Sequence, residues 1–99
     1  MATAARTVYP HISKDAEVCG GRACVAGTRV RVMDIVSLHN TGLSADQIVR
    51  EFPSLESTVD VYAALVYFGD HKPEIEAAFA EDQALAAAAE RERVGPSHE

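Results

Sequence analysis

A chain of 99 residues, 47% hydrophobic and with a net charge of −6, is sized for one small domain. No apolar run approaches the roughly 18 residues of a membrane-spanning helix. The opening MATAARTVYP lacks the apolar segment of a signal peptide, so the two cysteines are expected as free thiols in a reducing cytoplasm.

The charge is uneven. Residues 1–50 hold six basic side chains against four acidic ones, and residues 51–99 hold three against eleven. Such asymmetry suits two surfaces with different partners, or simply two differently solvated faces.

In chain order, residues 1–10 read as a flexible N-terminus. From Ile12 to Val32 the pattern favours short extended pieces around Val18, Ala23-Cys24-Val25 and Val30. They are broken by Gly20-Gly21 and Gly27-Thr28. Arg29-Val30-Arg31-Val32 alternates polar and apolar residues, the period of a half-buried strand. A small β-hairpin or a pair of short strands is expected.

The period changes at Met33. Met33, Ile35, Val36 and Leu38 fit a short helix ending before Gly42, which suits the left-handed position after a helix end. Ser44 and Gln47 form a capping box, and Leu43 can staple to Ile48, so a second helix should run from Ala45 to near Phe52-Pro53. Ser57 with Asp60 marks a third start, with an end near Phe68 and Gly69. Pro73 suits the first turn of a fourth helix reaching about Arg93. The predicted organisation is a helix-turn-helix-like domain over residues 11–72 with N-terminal short strands, a C-terminal helix over 73–93, and a disordered tail over 94–99. The class is mainly α, with a trihelical, homeodomain-like unit.

The third helix is apolar around most of its circumference. Val59, Tyr62, Ala63, Val66 and Tyr67 form one stripe, and Val61, Ala64, Leu65 and Phe68 another. A helix apolar on all sides is normally buried on all sides. In so small a domain, one stripe is expected on the core and one on a second copy. Val61, Tyr62, Leu65, Val66 and Phe68 are the candidate dimer residues.

The stretch CGGRACVAGTRVRV, residues 19–32, has the wrong spacing for a phosphate-binding P-loop, and no dinucleotide fingerprint is present. Cys19 and Cys24 supply one ligand pair where structural zinc uses two, so no metal and no cofactor is expected. No nucleophile, base and orienting group come together in the sequence, and no enzyme is expected. Three helices within about 36 residues, with a tight second connection, match a helix-turn-helix unit. Its recognition helix would present Ser57, Thr58, Val61 and Tyr62 to DNA, although Glu56 and Asp60 beside them repel phosphate. Arg29, Arg31 and Arg50 are the better phosphate contacts, or else lie on a solvated strand edge.

The matches Gly21-Arg22, Gly27-Thr28-Arg29-Val30, Gly42-Leu43-Ser44, Phe52-Pro53 and Ala64-Leu65-Val66-Tyr67 carry a resemblance to domain-of-unknown-function family 433 over about residues 11–72. Ala23 departs from the pattern, where proline is usual. So does Ala26, where a basic residue is common. The resemblance implies a VapB-like antitoxin of a type II toxin–antitoxin pair, acting as a homodimer against a PIN-like ribonuclease toxin and binding its own operator DNA. It further implies that the fourth helix and tail meet the toxin, with Ile75, Phe79, Leu85, Arg91 and Arg93 as candidates. Arg91 and Arg93 are better explained as cations at the negative end of the helix dipole. A stand-alone DNA-binding regulator and an interaction module that never touches nucleic acid are the alternatives.

Overall fold

The structure, a computed structural model, describes residues 5–6 and 9–94, with side chains over 9–92. Three short strands form an antiparallel sheet in the order β1 (Ala5–Arg6), β2 (Ile12–Lys14), β3 (Ala23–Val25). Four helices follow: α1 (Val32–Asn40), α2 (Ala45–Glu51), α3 (Thr58–Asp70) and α4 (Lys72–Val94). The mainly helical class with leading strands is as expected, and α3 packs across both α1 and α2.

The strand details differ from the sequence reading. Val18 lies in a turn and not in a strand, and Gly20-Gly21 lies in a 3-10 segment (Cys19–Gly21) within the connection from β2 to β3. The second strand is instead Ile12–Lys14, registered Ile12 to Val25 and Ser13 to Cys24. The Arg29–Val32 alternation yields only an isolated bridge from Arg31 to Cys24 and one hydrogen bond from Val25 N–H to Val30 O. Helix α1 takes over at Val32 because the Asp34 carboxylate accepts from the Arg31 N–H at 3.1 Å, which starts the first turn. The stretch read as a flexible N-terminus contains β1, and Tyr9 is anchored within it. Residues 95–99 of the expected tail lie outside the described residues.

The local signals around α1 and α2 are fulfilled. Gly42, at φ +103°, donates to His39 O, and Leu43 donates to Leu38 O, which closes α1 in a Schellman arrangement. Ser44 Oγ accepts from Gln47 N–H at 3.2 Å while Gln47 returns a bond to Ser44 N–H at 2.8 Å. At α3 the expected Ser57–Asp60 box is rearranged. Ser57 Oγ accepts from Val59 N–H, and Asp60 reaches back to Glu56 N–H at 2.9 Å. The acid thereby satisfies a donor one residue ahead of the cap, outside the helix.

The core lies between the sheet and the four helices. Ile12, Val32, Ile35, Val36, Ile48 and Val61 are its largest fully buried side chains. Helix α4 contributes only its first turns, through Ile75 and Ala78. Its middle is tied to the start of the domain by ion pairs from Arg22 to Glu81 at 2.7 Å and Asp82 at 3.5 Å, and from Arg31 to Asp82 at 3.3 Å. Beyond that point it is largely exposed, and Leu85 is 68% exposed.

Candidate functional site

Helix α3 resolves its two apolar stripes unevenly. Asp60, Val61, Ala64 and Tyr67 face the core, a spacing of three and four residues along one face. The opposite face carries Val59, Tyr62 and Val66, which are 51%, 57% and 56% exposed. Two expectations are corrected. Tyr67 belongs to the core face, not to the stripe with Val59, Tyr62 and Val66. Val61 has no exposed surface and is unavailable both to a second copy and to DNA bases. Leu65 and Phe68 are half-buried against the core.

The exposed stripe does not stand alone. Tyr9, Pro10 and His11 rise beside Val59, Tyr62, Ala63 and Val66, and together they bound an apolar groove of about 330 Å³. The rim is held by an aromatic cluster. Tyr67 stacks on His71 with centroids 4.1 Å apart, and Tyr9 meets both edge-on at 5.3 and 5.4 Å. The Tyr9 hydroxyl donates to Asp70 at 2.6 Å, which raises its pKa. The Tyr67 hydroxyl donates to Glu74. Burial first, and that carboxylate second, push its pKa up. His11 adopts φ +72°, which turns its ring to within 3.5 Å of the buried Asp60 carboxylate. The N-terminal segment is thereby fixed along α3 and extends its apolar face.

The sequence reading missed Tyr9, Pro10 and His11. An aromatic residue and a proline just ahead of an Ile-Ser-Lys strand were the available signal, and the absence of periodicity hid it.

The DNA candidates are dispersed. Arg31 is enclosed by Asp34, with contacts of 2.9 and 3.0 Å, and by Asp82. These carboxylates raise its pKa and occupy its charge, so its role is structural. Arg29 is exposed on the Gly27–Arg29 turn, and Arg50 is exposed in the last turn of α2. Ser57 is the exposed cap of α3, and Thr58 is half-buried.

Of the candidates on α4, Ile75 is 3% exposed and belongs to the core, and Phe79 packs half-buried against it. Neither is offered to a partner. Leu85 and Arg91 are exposed, and the side chain of Arg93 lies outside the described residues. The thiols are free. Cys19 donates to Arg29 O at 3.2 Å, while buried Cys24 is pushed up to about 12 by desolvation and then by Cys19. Among the described residues no three His, Cys, Asp or Glu side chains cluster as a metal site.

A family model described as "Protein of unknown function (DUF433)" matches residues 12–68. A solved DUF433 member protein from Anabaena variabilis is similar in fold, with a TM-score of 0.64 and 27% identity, covering 71% of this chain and 68% of that one. No curated protein matches the chain.

Proposed function

The chain belongs to the DUF433 family, and from that premise we propose that it is a non-catalytic, antitoxin-like binding protein that pairs with a second copy through α3 and holds a PIN-like ribonuclease toxin along the exposed part of α4. The observation that carries this reading is the outer face of α3. Three large apolar side chains, each more than half exposed, line up beside a preformed apolar groove. Contiguous exposed apolar surface of this kind marks an interaction site. A two-fold pairing would set each stripe against its equivalent, which needs no second complementary surface.

The toxin half of the reading rests on the family resemblance and on the shape of α4. The helix is anchored near its start by Ile75 and Ala78 and at its middle by the ion pairs of Glu81 and Asp82, then continues past exposed Leu85. An exposed helix of this kind suits docking in a partner's groove. The same reading puts the protein in the cytoplasm. No helix among the described residues is long and apolar enough to cross a membrane.

Operator binding has the weakest support. The start of α3 presents Ser57 and Thr58 beside the exposed Glu56, Arg31 is committed to carboxylates, and Arg29 and Arg50 are left as the phosphate contacts.

The test is co-expression of the full chain with the product of the adjacent reading frame. A stable complex that Leu85→Glu disrupts, with an unchanged melting temperature of the free protein, is the expected result. A PIN-like neighbour that never co-purifies would refute the toxin assignment.

A further inference from the structure

The sheet has a second face that the proposed pairing leaves untouched. Ile12, Ala23 and Val25 point into the core, and the intervening Ser13 and Cys24, registered with each other, point the opposite way. That face floors a cavity of about 550 Å³, walled by Asp15 and Val18 on one side and by the Gly27–Arg29 turn on the other.

The polar groups around it are mostly occupied. Asp15 accepts from Glu17 N–H at 2.9 Å. Thr28 Oγ1 donates to Val25 O and accepts from Val30 N–H within its own turn. Arg22 is held by Glu81. Three groups are left open, the exposed Ser54 among them. Ser13 is 8% exposed, lines the cavity, and makes no side-chain hydrogen bond among the described residues. Arg29 is the third. It differs from Arg22 and Arg31 in having no carboxylate or carbonyl on its guanidinium among the described residues.

We propose that this cavity binds a small oxyanion-bearing molecule, a carboxylate or a phosphate ester, with the Arg29 guanidinium on the oxyanion and the Ser13 hydroxyl donating a second bond. Val18 and the protonated thiol of Cys24 supply apolar wall for the carbon body. A guanidinium recognises carboxylate and phosphate alike through paired N–H donors. The net charge of −6 works against non-specific anion binding, so anion affinity at this place has to come from local contacts. The inference does not rest on the α3 pairing or on toxin binding, and it shares only Arg29 with the operator contact.

The experiment is a two-dimensional amide NMR titration of the full chain with inorganic phosphate and, separately, with acetate, at ionic strength held constant by chloride. Saturable shifts centred on Ser13, Cys24 and Gly27–Arg29 are expected for at least one probe, and the stronger of the two identifies the oxyanion class. Arg29→Gln should weaken binding at least about tenfold, the loss of one charge-assisted contact. Ser13→Ala should weaken it severalfold. Arg29 is exposed and its side chain makes no hydrogen bond or ion pair among the described residues, so its variant should keep the native spectrum. Unsaturable shifts with both probes, or identical titrations of the wild type and Arg29→Gln, would overturn the proposal. So would a DNA duplex that shifts the same amides when neither small anion does.

Discussion

Replacing Val66 with serine removes apolar surface from the middle of the α3 stripe without touching the core. Val66 is 56% exposed in the single chain. Burying a whole valine side chain is worth about 1.5 kcal/mol at the lower end of the usual range, so covering this remainder yields about 0.8–1 kcal/mol. A two-fold pairing counts the change twice, giving about 2 kcal/mol, or a roughly 30-fold weaker dimer. The fold itself should lose no more than about 0.5 kcal/mol, since the site is solvated in the protomer. Sedimentation equilibrium over a concentration series reads the dissociation constant, and urea unfolding at low concentration reads the protomer. A dimer unaffected by Val66→Ser would refute the reasoning, and a strongly destabilised protomer would show that this face is already packed in the single chain.

Three further outcomes follow from the packing. Ile48→Ala empties a fully buried position on α2, inside the core cluster that joins the helices and sheet, and should cost about 2–5 kcal/mol in urea unfolding. Gly27→Ala should cost about 1 kcal/mol by the same measurement. Gly27 holds φ +81° as third residue of the turn closed by Thr28 N–H on Val25 O, and an added Cβ meets no atom within 4 Å, so backbone strain is the whole effect. The raised pKa values of Cys24 and Tyr67 fix a sign for alkaline pH. Both groups stay protonated in the fold while the unfolded chain has begun to ionise, so their stabilisation is intact below about pH 8.5 and is lost progressively above it. Urea midpoints should fall between pH 8 and pH 10.5, and Cys24→Ala should flatten the early part of that fall. Equal slopes for the two proteins would exclude the buried thiol as the cause.

The parts legible in the sequence are those decided by neighbours in the chain. The Ser44–Gln47 box and the Gly42 stop act within a few residues, and both stand where the residues put them. The stripes of α3 were visible as apolar, but their assignment was not, because hydrophobicity is nearly equal on both sides. What decides it is Asp60, a polar residue that faces inward only because Glu56 N–H and His11 are folded against it. Arg31 is partly different: Asp34, its shorter partner, stands three residues on, and only the second carboxylate, Asp82, comes from across 51 positions of chain. The cavity on the outer sheet face was invisible for the same reason. Ser13, Arg29 and Ser54 share it through strand register and a turn, not through spacing.

The central claim is that two chains meet along the outer face of α3. An isotope-filtered NOE experiment on a mixture of labelled and unlabelled chains tests it directly. Cross-copy contacts between the Tyr62 ring and the Val59 and Val66 methyls are predicted. A protein that remains monomeric at millimolar concentration, or cross-copy contacts confined to α4 with none from these three side chains, would contradict it.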